Sequence, residues 1–269
     1  MSKKKDKKII KIVAAVVVFV LIVTALAILV FDPFAWRSSS NGNDETPATI
    51  EVEDDEKVTL AKQLYVENST ISDDYVGTIK FESGLIDLPF VQGSDNNTYY
   101  RTNWKTMEYD EEGSIFLDSN NTLDDQNLIL IGHYVYASYD DSGTHMFTPL
   151  AKLIDESNYE DNKYVELYLD GEIRRYEIAY VYYCQLISDE TDGESFYYTE
   201  DGYEFYVPNY TQEMFENYIK TVKENAFYDT GVEVSYSDKF LTLQTCVENR
   251  DDLREIVLLK EIERTTYEK

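Results

Sequence analysis

The sequence predicts a mainly β domain, built as a closed or nearly closed barrel, behind one N-terminal transmembrane helix. Three observations lead to this prediction. Short strand-like segments separated by turn-forming residues run from about Tyr75 to the C-terminus, and two helical patterns interrupt them. Many short strands with few helices are typical of barrels. Residues 12–31 form a single uncharged apolar run.

Residues 1–31 have the composition of a lysine-rich cytoplasmic tail and membrane anchor. Residues 1–11 contain six lysines and one aspartate, and the 20 uncharged residues that follow would span roughly 30 Å as a helix, about one hydrocarbon thickness. Lysines before the span favour an inside N-terminus, so we expect the rest of the chain on the extracellular side. A cleaved signal peptide is the alternative, because residues 25–27 read Ala-Leu-Ala, but the apolar residues 28–31 favour a retained anchor.

The net charge argues against nucleic acid as a partner. The chain carries −28, and since its first 31 residues contribute six lysines and one aspartate, the remaining residues sum to −33. So acidic a domain repels phosphate backbones. A strongly hydrated surface accounts for the acidity itself.

The segments after the anchor follow in a clear order. Residues 32–57 are polar and acidic, which indicates a flexible stalk before a domain at 58–269. Apolar residues at helical spacing predict a short helix over 58–65 and another over 211–223, and a third short helix is expected at 148–154. The predicted strands are 77–81, 85–91, 114–117, 128–132, 164–169, 174–187, 232–235, 239–245 and 254–262.

Cys246 is the candidate nucleophile. Side chains alternate along a strand, so Leu241 and Leu243 point one way while Gln244 and Cys246 point the other. The thiol then lies on the more polar face, at the end of the strand. Only a few per cent of an unperturbed thiol is thiolate at neutral pH, so a nearby cation is needed to activate it.

Cys184 lies in an aromatic and aliphatic strand-like run, which indicates a half-buried, inert thiol. A disulfide between Cys184 and Cys246 remains open from the sequence, because two cysteines in an exported domain can pair.

Arg254 is the candidate cation. If the strands before and after the polar connection 247–253 pair antiparallel, Arg254 lies across from or near Cys246. There a guanidinium can steady a thiolate or offset the charge of an oxyanion. Arg250 is the rival, but the pattern places it in the middle of that connection, where its reach is poorly defined.

His133 ends an apolar strand-like run and is the candidate acid and base, because an imidazole titrates near neutrality. His145 is the weaker candidate for the same role. Two histidines and two scattered cysteines have no metal-ligand spacing, so no metal site is expected.

These residues stand in motifs that resemble those of sortases. Thr-Leu-Gln-Thr-Cys at 242–246, followed by Arg-Glu-Ile-Val at 254–257, resembles the sortase signature Thr-Leu-x-Thr-Cys…Arg-x-hydrophobic-Val, and Leu-Ile-Gly-His at 130–133 matches the histidine segment of that family. Further segments resemble class B sortases, namely 89–93, 113–118, 146–147 and 227–234. The resemblance covers roughly residues 58–265.

The resemblance implies an eight-stranded barrel with N-terminal helices and a helix before the last two strands, anchored on a Gram-positive cell surface. It implies that Cys246 is the nucleophile, His133 the acid and base, and Arg254 the substrate-orienting cation. One position departs from some relatives, which carry an acidic residue directly after the cysteine. This chain has Val247 there, and Glu248 follows.

Four further residues correspond to the substrate groove of the family, namely Asn96, Tyr100, Gln244 and Thr245. The implied reaction cleaves a C-terminal sorting signal of a secreted protein after threonine and joins the acyl group to an amine of a peptidoglycan precursor or a pilin. Such chemistry requires no cofactor. A surface cysteine protease and a non-catalytic adhesin on the same barrel remain alternatives.

Overall fold

The structure, a computed structural model, describes residues 48–139, 142–185 and 206–269. The predicted tail and anchor at 1–31, with the first part of the predicted stalk, lie outside the described residues. Within the described ranges, no helix is both long and apolar enough to cross a bilayer.

Helix α1 spans Ala48–Ser69 and is longer than the sequence predicts. The structure starts it ten residues before the predicted segment 58–65, inside the predicted stalk, so the end of that stalk is helical. The acidic residues that suggested a solvated linker are also favoured near a helix N-terminus, where the macrodipole attracts negative charge. Ala61 packs the helix against Tyr168 and Ile173 of the sheet.

The described residues form eight strands, all in the unit Thr49–Lys269, that close into a barrel in the order β1-β2-β3-β4-β7-β8-β6-β5. The predicted closed barrel is therefore confirmed. The strands are β1 Tyr75–Phe81, β2 Asp87–Val91, β3 Ile115–Leu117, β4 Asn127–Ile131, β5 Tyr164–Leu169, β6 Glu172–Gln185, β7 Phe240–Val247 and β8 Arg250–Thr266.

Helix α3 lies between β6 and β7 and spans Gln212–Asn225, close to the predicted 211–223. Thr211 caps it, since its side chain accepts a hydrogen bond from the Met214 N–H at 3.2 Å. The predicted helix at 148–154 is a 3₁₀ helix, Thr148–Ile154. A second 3₁₀ segment, Glu156–Asn158, and helix α2, Tyr159–Asn162, follow it.

The two faces of β7 pack differently. Leu241 and Leu243 belong to the cluster that fills the barrel, whereas Phe240 belongs to a second cluster between the sheet and α3. By the same alternation Cys246 faces outward and Thr245 faces inward. The predicted separation of Cys246 from the core leucines therefore agrees with the packing.

The parallel pair β4–β7 carries two candidate residues to the same end of the barrel. Its register pairs Ile131 with Gln244, and the Gly132 N–H donates to the Gln244 carbonyl oxygen at 3.1 Å. His133 and Cys246 each lie two residues beyond this pair. Because parallel strands end at the same edge, the imidazole and the thiol reach one rim.

The predicted strand at 232–235 is wrong. Both edges of its nearest sequence neighbour, β7, are already paired with β4 and β8, so no ladder position remains for it. Its alternating valines, Val232 and Val234, are instead partly buried against the cluster beneath α3. Alternation here reflects packing on one side of an irregular segment.

The predicted seven-residue connection 247–253 is also wrong, because β8 begins at Arg250. Glu248 and Asn249 form the turn, and Asn249 adopts a left-handed conformation with φ of 59°. The register shifts between Cys246 and Val247, which accommodates the extra residues on β8. A polar, acidic strand end carries no apolar alternation, so the sequence pattern missed it.

Candidate active site

A cavity of about 600 Å³ opens where the ends of β4, β7 and β8 meet three loops. Every site residue expected from the sequence lines it, namely Asn96, Tyr100, His133, Gln244, Thr245, Cys246 and Arg254. The fold therefore brings together residues from three distant parts of the chain, namely 96–100, 133 and the β7–β8 hairpin.

Cys246 lies next to the end of β7 and is partly exposed. The β7–β8 register places it directly opposite Arg254. Strand partners on one face lie about 5 Å apart at their Cβ atoms, so the guanidinium can reach the thiol. This is the arrangement expected from the motif spacing.

Cys184 is on the other side of Arg254. The β6–β8 register pairs these two residues, so strand β8 separates the two cysteines. Two strand spacings are about 9.5 Å, beyond the Cα separation a disulfide allows. Both thiols are free, so the disulfide alternative is wrong. Burial raises the pKa of Cys184 to about 12, although the charge of Arg254 acts in the opposite direction.

His133 is 8% exposed, and its Nε2 lies 2.6 Å from the backbone carbonyl oxygen of Tyr100. A carbonyl oxygen can only accept, so Nε2 carries the hydrogen and Nδ1 is the basic nitrogen of the neutral ring. Burial lowers the pKa of His133 below 6.5, and the charges of Arg101 and Arg254 lower it further against the effect of the Tyr100 hydrogen bond. The neutral imidazole is therefore favoured at pH 7.

Glycine is required just before this histidine. A Cβ atom on Gly132 would come within 2.7 Å of the Phe147 ring, which is fully buried. The contact lets the chain pass closely over the core and present His133 at the rim.

Arg254 and Arg250 differ clearly in their surroundings. Arg254 lines the cavity, and its Nη1 donates to the Leu253 carbonyl oxygen at 2.8 Å. Arg250 is largely exposed and pairs with Asp252 through two hydrogen bonds of 2.8 Å. Of the two, the residue preferred from the sequence is the one at the site.

His145 is away from the cavity lining. Its Nδ1 lies 2.8 Å from both carboxylate oxygens of Glu112, in a surface ion pair. In the described part of the chain, no group of three or more His, Cys, Asp or Glu side chains could hold a metal ion.

Comparisons with known proteins identify the family. No sequence-family model matches the chain. Sortase B of Listeria monocytogenes is 31% identical over 183 residues, which cover 67% of this chain and 66% of the relative, just under two thirds of its length. The structure of Clostridium perfringens sortase B is 31% identical, with a TM-score of 0.60 and coverage of 75% of this chain and 99% of that one. The chain belongs to the class B sortases.

A mutant form of the Clostridium perfringens enzyme gives a TM-score of 0.64 at 28% identity, and covers 79% of this chain and 92% of that one. The class is one of cysteine transpeptidases, in agreement with the expectation from the motifs. The eight-stranded barrel of this sortase is therefore the fold that its relatives share.

In this sortase Asn96 joins two loops of the cavity wall. Its Oδ1 accepts a hydrogen bond from the Ser119 N–H at 2.8 Å, and its Nδ2 donates to Asp118 Oδ2 at 3.0 Å. Both ends of the amide are engaged, so Asn96 holds the wall in shape. Whether it also binds substrate remains a prediction.

The other three expected substrate residues have distinct surroundings. Tyr100 is 41% exposed, and its ring lies 4.3 Å from that of His133. Gln244 is buried and accepts a hydrogen bond from the Tyr206 hydroxyl at 2.6 Å. Thr245 is 1% exposed and shares the alternation of the inward leucines, so its backbone borders the cavity while its side chain faces the barrel. Their binding roles stay predictions.

Sequence reasoning missed much of the cavity wall. No site role was assigned to Asp118 or Ser119 from the sequence, and the loop 206–208 carried no signal of a site. The contact of Tyr206 with Gln244 spans 38 positions in the chain. No local pattern encodes such a contact, because it depends on how the loop folds back over β7.

Proposed function

We propose that this sortase cleaves the C-terminal sorting signal of secreted proteins after threonine and transfers the acyl group to an amine of the cell wall or a pilin. The observation that carries the proposal is the meeting of Cys246, His133 and Arg254 at one cavity rim. A thiol, a neutral imidazole and a guanidinium are the groups that acyl transfer through a thioester requires.

In the first half-reaction the Cys246 sulfur attacks the threonine carbonyl carbon while its proton passes to His133. The neutral imidazole can accept that proton because burial keeps the pKa of His133 low. Collapse of the tetrahedral intermediate breaks the peptide bond. The leaving amine takes the proton from His133, and a thioester on Cys246 remains.

Arg254 stabilises the negative charge that develops on the sulfur during the attack and on the oxygen of the intermediate. Its position opposite Cys246 allows the guanidinium to support the thiolate and then the oxyanion. Preorganised charge in a partly buried site is effective because few water molecules compete with it. The arginine also orients the peptide, since its donors match carbonyl oxygens.

In the second half-reaction an amine attacks the thioester, and the proton path runs in reverse. Two structural relatives support this substrate pair, although at 21% identity each they share only the fold with this chain. One is a Staphylococcus aureus sortase B–substrate complex, and the other is a sortase B complexed with triglycine. An amine acceptor and a sorting peptide are the corresponding partners here.

The same proposal includes the cellular location. Residues 12–31 anchor the chain in the cell membrane with the N-terminus inside, and the catalytic domain faces the extracellular side. Protease protection of the catalytic domain in intact cells, compared with cells made permeable, tests this topology. Cleavage in intact cells is expected, and protection there contradicts it.

Class B sortases often favour signals of the form Asn-Pro-x-Thr, so mass spectrometry of the full chain with a peptide that contains Asn-Pro-Ala-Thr followed by further residues tests the reaction. With triglycine present, a ligated product is expected, and without it a thioester adduct on Cys246 should accumulate. Cys246→Ala is the matched control and should give neither. Hydrolysed peptide alone indicates a protease, and the absence of any adduct indicates a non-catalytic adhesin.

A further inference from the structure

Glu255 is a buried carboxyl group that no step of the proposed reaction uses. It follows Arg254 on β8 and is 1% exposed, and its Oε1 has no hydrogen-bond partner among the described residues. Burying an unpaired carboxylate costs far more free energy than burying the neutral acid. Accordingly, burial raises the pKa of Glu255 from 4.5 to about 8.

A second unpartnered polar atom lies across the hairpin from Glu255. The β7–β8 register pairs Glu255 with Thr245, whose buried Oγ1 also lacks a partner in the described ranges. Both residues share the alternation of Leu243 and Val257, which lie in the barrel core. The two atoms are not hydrogen-bonded to each other. A neutral acid and a hydroxyl each have one donor and free acceptor positions, so a single water between them can join them.

Among the described residues, burial alone favours the neutral form of Glu255. Tyr183 is its register partner on β6, and burial, followed by the charge of Glu255, raises the pKa of Tyr183. Tyr134 donates to the Glu248 carboxylate at 3.3 Å, which adds negative charge on this side. Among the described residues, Glu255 forms no salt bridge, and desolvation is the cause of its shifted pKa.

We propose that Glu255 is a positioning residue that acts as the neutral acid, bracing the inner face of the β7–β8 hairpin with Thr245 so that Cys246 stays opposite Arg254. When the proton leaves to solvent, an unpaired carboxylate remains in the barrel. The strand end shifts to hydrate it, and the thiol loses its place beside the guanidinium. The inference rests on the proposed transpeptidation, in which thiol and guanidinium act together.

The test compares wild type with Glu255→Gln as full chains, from about pH 6 to about pH 9, using the Asn-Pro-Ala-Thr peptide with triglycine. Glutamine resembles the neutral acid and cannot ionise. With a pKa of about 8, roughly one molecule in ten keeps its proton at pH 9. The ratio of wild-type to variant kcat/KM should therefore be near one at the acid end and fall about tenfold at the alkaline end.

Glu263→Gln is the matched control, because Glu263 is an exposed glutamate on the same strand. The ratio of the wild-type kcat/KM to that of Glu263→Gln should stay constant with pH. Glu255→Met, neutral and of similar length, is a second variant in case glutamine disturbs folding. It should also lack the alkaline loss, and an alkaline loss that persists in both variants overturns the proposal.

Alkylation of Cys246 by iodoacetamide, mapped by mass spectrometry, provides a readout without a substrate. The wild-type rate should fall behind that of Glu255→Gln as the pH rises. If the peptide is not cleaved at all, the proposed function fails while the alkylation series still tests Glu255. Glu255→Gln could instead be more heat-stable at alkaline pH while its ligation and alkylation rates follow the same pH profile as wild type. Glu255 would then have a purely structural role, and the proposal would be overturned.

Discussion

The two cysteines lie on either side of one arginine and differ in almost every other respect. Strands β6 and β7 flank β8, and the register places Cys184 and Cys246 each opposite Arg254. Cys184 is fully buried in the cluster under α3, whereas Cys246 borders the cavity. A cation beside a thiol is therefore not enough to make a nucleophile, because burial without solvent access raises the pKa by more than the cation lowers it.

The contrast comes from what covers each side of β8. On the β6 side, Tyr218 and Val222 of α3 are buried against the sheet. On the β7 side, the neighbouring strand is β4, and the loop 206–208 lines the cavity. One sheet thus presents a closed surface and an open one within two strand spacings.

Replacing each cysteine in turn should give the largest difference in activity between the two sites. We expect Cys246→Ala to lose at least about a thousandfold in kcat, because the covalent intermediate cannot form. Cys184→Ala should keep its activity and lose about 1–2 kcal/mol of stability through a small cavity. Rates of peptide ligation and chemical denaturation measure the two effects. Equal loss of activity in both variants would contradict the assignment.

Alkylation of the native protein should separate the thiols by a large factor. With a pKa of about 12, only about one Cys184 in 10⁴ is a thiolate at pH 8, and the thiol is also inaccessible. We expect iodoacetamide to modify Cys246 at least about a hundredfold faster in the folded chain. In denaturant the rates should converge, and a difference that survives denaturation would rule out burial as its cause.

Arginine substitutions sharpen the comparison further. Arg254→Ala should lower kcat/KM by about a hundredfold or more, since the oxyanion and the thiolate lose their cation. Arg250→Ala removes only an exposed ion pair with Asp252, so its effect should stay within about twofold. Arg254→Lys retains the positive charge but loses the planar set of guanidinium donors, so its kcat/KM should lie between those of the two alanine variants. Steady-state kinetics measure all three, and similar losses at Arg254 and Arg250 would be incompatible with this site.

The smallest expected effect concerns the charge of Arg254 on its neighbours. Burial and, to a smaller extent, the guanidinium lower the pKa of His133, so Arg254→Gln should raise that pKa. The folded wild type binds fewer protons at His133 than the unfolded chain does, so its stability should fall as the pH drops through 6.5. NMR titration of the imidazole measures the shift. An unchanged titration would place Arg254 too far from His133 for the proposed mechanism.

Local pattern and motif spacing were sufficient for most of the fold. Eight of the nine predicted strands correspond to strands, because apolar alternation directly reflects a sheet with one buried face. Two predictions were wrong, the strand at 232–235 and the loop position of Arg250, and their causes are opposite to each other. In the first, alternation arose from packing without pairing, and in the second, pairing occurred without an apolar face.

The sequence by itself determined the chemistry that is available: a thiol, an imidazole and a guanidinium at strand ends, in motifs that resemble one family. Only the tertiary structure decided which thiol is open, which arginine reaches it, and that Glu255 Oε1 lies behind them without a partner among the described residues. These properties depend on which strands become neighbours and what covers them. Contacts between distant segments set burial and local charge, and burial and local charge set reactivity.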